Sequence, residues 1–372
     1  MRSLPFLLRW SLLPVALAAL AILASPDTGA STLGTARDDG RRPFATADDP
    51  PHYLPERLYH LEHVKLDLRF DLVAGTVAGT ATNTLTPLLP GVDHLVFHAA
   101  ELDVKKVRVG GQEAAFALDP TAQTLTVRLA AAAGPTDKLE VAIEYAAKPR
   151  SGLYFVGPDA GYPTKPREMF SQGETELNRY WFPSWDEPDD RTTTETLATV
   201  QKPYQAISNG RLVEVLDRPD GWRTYHWSME QPHSTYLTSV AAGEFTRIAD
   251  EWHGIPIEYY VPVALAGEAR RSFGDTPAMM DFFSNLTGRP YPYAKYAQVA
   301  VHDFMFGGME NISATTQTAR TLHDERAELD NPSEELVSHE LAHQWFGDLV
   351  TCRDWGEGWL NEGFATYSEY IW

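Results

Sequence analysis

The segment NPSEELVSHELAHQWFG, residues 331–347, carries the pattern that decides the fold of the second half of the chain. His339 and His343 are four residues apart, so on a helix both imidazoles project from one face and can bind a single metal ion. Glu340 is offset by one residue, which brings its carboxylate within reach of a metal-bound water. The spacing therefore predicts a helix that carries two metal ligands and a candidate general base.

The flanks of this segment predict where the helix begins and ends. Asn331 can act as the N-cap, Pro332 suits the first helical position, and Glu334 completes a start that resembles a capping box. Gly347 is a typical stop signal. We therefore expect the helix to begin at Pro332 and to stop near Gly347.

Two histidine ligands need a third, and a catalytic zinc site keeps a fourth position open. The segment WLNEGFA, residues 359–365, is typical of a helix start after the connection at residues 348–358. An antiparallel return of this helix would bring Glu362 beside the two histidines. The sequence thus predicts one Zn²⁺ per chain, held by His339, His343 and Glu362.

Apolar and polar residues alternate upstream in three runs, at residues 64–72, 125–129 and 139–145, as in half-buried β-strands. We assign residues 52–244 to an N-terminal all-β domain. The pattern changes after residue 245, with a helix predicted over residues 267–286 and strands on either side of a glycine-bearing loop. Residues 245–372 therefore read as a separate α+β domain.

The start of the chain indicates export. Arg2 and Arg9 precede an apolar run and then small residues, the layout of a secretory signal peptide over residues 1–30. The run is short for a bilayer span, so an uncleaved anchor is the minor alternative and no stable span is expected after cleavage. Residues 31–51 read as a linker. The destination would be periplasmic, extracellular or the cell surface.

Composition restricts the partners. The net charge of −20 argues against nucleic acid, whose phosphates attract basic surfaces. The single cysteine, Cys352, excludes an intramolecular disulfide. Nothing in the sequence indicates an oligomeric state.

Several motifs, in the same order along the chain, are similar to those of the M1 family of zinc aminopeptidases, within the gluzincin group. HELAHQWFG is preceded by GGMEN, residues 307–311, where the family usually has GAMEN, and is followed by WLNEGFA. SQGETELNRYWFPSWDEPDD, residues 171–190, resembles the family's stretch in which Gln-x-Glu precedes Pro-x-x-Asp-Glu-Pro. The resemblance implies a saddle-like β sandwich followed by a thermolysin-like catalytic domain that is incomplete at its C-terminus.

The resemblance also implies substrates and roles. The substrates would be peptides with a free N-terminus, whose α-ammonium group needs opposing carboxylates. Glycine in place of the family's alanine loses one methyl group and should be tolerated. Glu310 would be the principal anchor, and the remaining substrate-binding residues would be Glu174, Gln172, Gly307, Gly308, Met309 and Asn311, with Met309 expected to shape the pocket.

Glu340 is expected to act as general base for an attacking water. The family's oxyanion-stabilising tyrosine has no match up to Trp372, so we expect this polypeptide to be the front portion of a longer protein with little turnover alone. Two alternatives stay open: a bifunctional relative of leukotriene A4 hydrolase, and a catalytically inactive binding scaffold. Metal analysis and chelator-sensitive hydrolysis of an aminoacyl substrate would discriminate between them.

Overall fold

The computed structural model describes residues 53–372. The predicted signal peptide and linker lie outside the described residues, so export stays a prediction. Within the described range, no helix is both long and apolar enough to cross a membrane.

Fifteen strands form the first region of the described chain. They are β1 (Tyr59–Asp71), β2 (Thr76–Pro87), β3 (Val92–His98), β4 (Asp103–Val109), β5 (Gln112–Glu113), β6 (Phe116–Asp119), β7 (Thr124–Ala133), β8 (Leu139–Ala147), β9 (Leu153–Val156), β10 (Glu168–Ser171), β11 (Thr192–Gln201), β12 (Gln205–Ser208), β13 (Arg211–Asp217), β14 (Trp222–His233) and β15 (Val240–Gly243). They build an eight-stranded sheet in the order β13-β14-β11-β1-β2-β8-β4-β5, a three-stranded sheet β3-β7-β6 and a four-stranded sheet β12-β15-β10-β9.

The alternation in the sequence explains why these strands form. In β1, Leu66, Leu68 and Phe70 are buried while the intervening Asp67 and Arg69 are exposed. Each buried side chain of this size contributes about 1.5–3 kcal/mol relative to an exposed one. One face of the strand therefore belongs to the core and the other to solvent, which confirms the predicted strand.

The second region is a smaller α+β unit. Its strands are β16 (Phe245–Trp252), β17 (Ile255–Pro262), β18 (Tyr296–Val301), β19 (Gly308–Met309) and β20 (Ala314–Thr318), and its helices are α1 (Ala269–Phe273), α2 (Thr276–Thr287), α3 (Glu325–Glu328), α4 (Glu334–Ala342) and α5 (Trp359–Ile371). The sheet order is β16-β17-β18-β20-β19, so β19 is an edge strand. This arrangement confirms the predicted class, an N-terminal β sandwich followed by a smaller α+β region.

The helix that carries the histidines differs from its prediction at both ends. It begins at Glu334 rather than Pro332, and His343 is already its C-terminal cap. Ser333 precedes the helix and its hydroxyl donates to the carbonyl oxygen of Thr321 at 3.0 Å. This long-range tether takes precedence over the local capping signal at Asn331.

Polar contacts join the two regions. The Asn209 amide donates to the carbonyl oxygen of Ile312 at 2.8 Å, and the buried Lys295 ammonium donates to the carbonyl oxygens of Ser208 and Ser313 at 3.1 and 2.9 Å. Burial lowers the pKa of Lys295 to about 7.

β15 pairs with the strands of the first region and β16 with β17. The boundary at residue 244 stays a prediction.

Candidate active site

The two histidines of α4 present their Nε2 atoms to each other at 3.0 Å. The Nδ1 atom of His343 lies 2.9 Å from the carbonyl oxygen of Phe346, and that of His339 lies against the Glu369 carboxylate. Both Nδ1 atoms therefore carry the proton, because their partners only accept hydrogen bonds. Two Nε2 lone pairs then converge on one point, an arrangement that a cation stabilises.

Glu362 completes this group from helix α5, which packs against α4. One of its carboxylate oxygens lies 3.4 Å from Nε2 of His339 and 3.7 Å from Nε2 of His343. A tetrahedral zinc ion with bonds of about 2.0–2.1 Å separates its ligand atoms by about 3.3 Å. The donor set and its spacing fit the predicted metal.

Glu340 lies beside this group and is buried. Its Oε2 atom has no hydrogen-bond partner among the described residues. Burial raises the pKa of Glu340 to about 8, partly opposed by the nearby histidines. A β-carbon at position 308 would lie 2.2 Å from the Oε1 atom of Glu340, so the glycine gives this carboxylate its present position.

A second cluster contains only carboxylates. Oxygen atoms of Glu174, Glu310 and Glu362 all lie within 4.8 Å of one another. The Tyr236 hydroxyl donates to Oε1 of Glu310 at 3.2 Å. Burial and then the charges of Glu310 and Glu362 raise the pKa of Glu174 to about 8. Such a group of converging acids is stabilised by a bound cation.

One cavity of about 800 Å³ contains both clusters. Of the predicted site residues it is lined by Gln172, Glu174, Gly307, Gly308, Glu310, His339, Glu340, His343 and Glu362. The other two, Met309 and Asn311, are not among the residues that line it. Met309 is buried with its sulfur 3.1 Å from the Gln172 amide nitrogen, and the buried Asn311 amide donates to the Thr316 hydroxyl at 3.0 Å. Both side chains make contacts inside the protein that support the loop at residues 307–311, and neither side chain lines the cavity.

Comparison with known proteins agrees with this arrangement. The family model described as Peptidase M1 N-terminal domain matches residues 50–237, and the one described as Peptidase family M1 domain matches residues 271–372. The chain belongs to the M1 peptidase family. Both matches are in the order that the motifs predict.

Curated M1 relatives share about a third of the matched residues. The chain is 33% identical over 197 residues to glutamyl aminopeptidase of Bos taurus. This match covers 51% of this chain and 20% of that protein. It is 34% identical over 199 residues to aminopeptidase M1 of Arabidopsis thaliana, with 52% and 22% covered, and 35% identical over 199 residues to aminopeptidase N of Oryctolagus cuniculus, with 51% and 21% covered. The matched part thus spans about a fifth of each relative's length.

Sequence reasoning missed two residues that contact this M1 site. Glu369 holds His339, and it lies seven residues after Glu362 on the same helix. That spacing, two turns along one helical face, is a signal that could have found it. Tyr236 reaches Glu310 from the first region and also accepts a hydrogen bond from Asn361. No local pattern indicates that contact.

Proposed function

We propose that this chain carries the active site of a zinc-dependent aminopeptidase, an enzyme that removes residues from the free N-terminus of peptides. The observation that carries the proposal is that two clusters share Glu362. One is the pair of histidines with that glutamate, and the other is the group of three carboxylates. A site for a metal and a site for a substrate ammonium group are therefore adjacent. The names of the M1 relatives support the same activity.

His339, His343 and Glu362 are the residues that would hold zinc. When bound there, the ion would supply Lewis acidity toward the scissile carbonyl and would lower the pKa of a water to about 7. Glu369 and the carbonyl oxygen of Phe346 keep both histidines in the tautomer that leaves Nε2 free.

Glu340 is the general base of the proposed reaction. Its carboxylate takes a proton from the attacking water and returns that proton to the leaving amine. Burial alone favours the protonated acid, whereas positive charge within about 4–6 Å favours the carboxylate. The side chain points into the cavity with one oxygen free of protein partners, as an atom that exchanges a proton with water requires.

Glu310 and Glu174 bind the α-ammonium group, with Gln172 beside them. No lysine or arginine in residues 53–372 forms an ion pair with either glutamate, so the substrate's own cation can balance their charge. The backbone at Gly307 and Gly308 belongs to the edge of the sheet, where a peptide can pair as an added strand. These contacts select a free N-terminus.

The test uses metal content and one pair of substrates. In the natural full-length protein we expect about one zinc per chain, and chelator-sensitive release of 4-nitroaniline from alanine 4-nitroanilide but not from its N-acetyl form. Hydrolysis of the acetylated substrate at a similar rate would contradict the assignment.

Two histidine variants control the metal measurement. His343→Gln should lose bound zinc. His302→Gln should keep it, because His302 pairs with Glu168 and does not line the cavity. Equal zinc content in both variants would refute the assigned ligands.

A further inference from the structure

The charges that line the cavity are strongly unequal. Six glutamates line it, namely Glu174, Glu310, Glu335, Glu340, Glu362 and Glu369. Among the described residues, Arg320 is the single lysine or arginine that does so. Its side chain is exposed, and within this part of the chain its guanidinium makes no ion pair with a carboxylate. An anionic group entering the cavity therefore meets one fixed positive charge.

The strand pairing gives the position of Arg320 along the cavity. Edge strand β19 runs antiparallel to β20, with Gly308 opposite Gln317 and Met309 opposite Thr316. The backbone N–H of Thr318 donates to the carbonyl oxygen of Gly307 at 2.8 Å. Arg320 follows this pair by two residues. It thus lies at the Gly307 end of the edge, and Glu310 lies at the other end.

The same edge relates Arg320 to a bound peptide. A peptide with its ammonium group at Glu310 that extends along the edge advances about 3.3 Å per residue. Glu310 and Gly307 are three residues apart, so the third residue of the peptide reaches the Gly307 end. A carboxylate on that residue would lie beside Arg320.

The imidazole beside Arg320 already has partners. His323 also lines the cavity, but its Nε2 atom lies 2.9 Å from the Glu328 carboxylate and its Nδ1 atom lies 3.3 Å from the carbonyl oxygen of Arg320. Glu335, on α4, adds a negative charge on the same cavity wall. The guanidinium of Arg320 is thus the group free to bind an anion here.

We propose that Arg320 is a specificity-determining residue that binds a carboxylate on the third residue of the substrate. The inference rests on the proposed aminopeptidase function and deepens it. A tripeptide with a free C-terminus places its anion at this guanidinium, away from the cluster of Glu174, Glu310 and Glu362 that repels it. A longer peptide can place an aspartate or glutamate side chain there. The site therefore favours short peptides and peptides that are acidic at the third position.

The experiment measures binding without turnover, in the zinc-loaded Glu340→Gln protein, by titration calorimetry. Ala-Ala-Ala with a free carboxylate should bind roughly three- to fivefold more tightly than its C-terminal amide. The preference should shrink in 0.5 M salt, because the pair is exposed to solvent. Comparing Ala-Ala-Asp-amide with Ala-Ala-Ala-amide separates a side-chain carboxylate from a terminal one.

Adding Arg320→Gln should reduce the acid-to-amide ratio to about one and leave amide binding unchanged. The matched control is Arg326→Gln, which removes the same charge from a nearby exposed residue that does not line the cavity. It should keep the preference. An unchanged ratio in Arg320→Gln, or equal binding of acid and amide in the parent, would overturn the role of Arg320 and leave the proposed function standing. If neither tripeptide binds, the proposed function fails and the inference fails with it.

Discussion

Buried charges occur in both regions of the molecule, but their partners differ. In the first region, the Arg179 guanidinium lies 3.1 Å from an Asp186 oxygen, 3.2 Å from a Glu176 oxygen and 3.5 Å from a Glu187 oxygen. In the cavity, Glu174, Glu310 and Glu340 have no lysine or arginine within ion-pair distance among the described residues. The chain balances the first group itself and leaves the second to be balanced by something bound.

The pKa values alone do not separate the two groups. Burial raises the pKa of Asp186 to about 6 and that of Glu187 to about 8, similar to the value of about 8 for Glu340. The two groups differ in whether an arginine or lysine of the protein lies within ion-pair distance of the buried carboxylates. A raised pKa indicates burial, and the absence of a partner indicates a binding site.

The largest expected effect comes from Glu340→Gln. In the natural full-length protein it should lower kcat/KM by about 10²–10⁴-fold, because the amide cannot accept the proton of the attacking water. The free energy of unfolding of the metal-free protein should not fall, because an unpartnered buried carboxylate is replaced by a neutral group of the same shape. Steady-state kinetics, zinc content and urea denaturation measure these effects. Full activity in this variant would remove Glu340 from the mechanism.

The opposite result is expected for Arg179→Met. Removing the cation leaves Asp186 and Glu187 buried without their partner, which should lower the free energy of unfolding by about 3 kcal/mol. Urea denaturation followed by tryptophan fluorescence measures the change.

The control for this variant is Arg150→Met, whose exposed guanidinium pairs with Glu101. It should leave the denaturation midpoint unchanged, since exposed pairs contribute little. Equal stability of both variants would mean that the buried network does not stabilise the first region.

The smallest expected effects are those of alanine substitutions at two closely packed glycines, Gly79 and Gly308. A β-carbon at Gly79 would lie 2.1 Å from the backbone oxygen of Asp67, and the φ angle of Gly79 is +154°, so Gly79→Ala should lose more than about 1 kcal/mol of unfolding free energy. At Gly308 the three nearest atoms, Oε1, Cδ and Cγ, all belong to the Glu340 side chain, which can rotate into the adjoining cavity. Gly308→Ala should therefore change the unfolding free energy by less than about 1 kcal/mol. A larger loss at Gly308 than at Gly79 in the same denaturation experiment would contradict this reasoning.

The sequence predicted the regular elements well where the signal was periodic. The run at residues 64–72 corresponds to β1, and the helix expected at residue 359 begins at Trp359. Boundaries that depend on contacts elsewhere were less accurate. The single helix expected over residues 267–286 is two helices separated near Gly274, and α4 begins after a serine tethered to Thr321.

The same distinction applies to the candidate site, where some residues could be predicted from local sequence and others could not. The two histidines and Glu340 share one short helix, so their relative positions follow from 3.6 residues per turn and could be predicted. Gln172 and Glu174 come from the first region, and only the resemblance pointed to them. The approach of Glu340 to Gly308 and the position of Arg320 required the structure, because each brings together residues from different elements.

The sequence by itself determined which atoms could bind a metal and which stretches could form strands, because these properties depend on residues a few positions apart. The tertiary structure decided which carboxylates meet, which tautomer the histidines adopt, and which buried charges find partners. Those outcomes depend on distances between segments far apart in the chain, and packing of the whole core sets such distances. Glu362 illustrates both contributions. Its residue type and spacing in the sequence predicted a metal ligand, and the fold places it in both the histidine cluster and the carboxylate cluster.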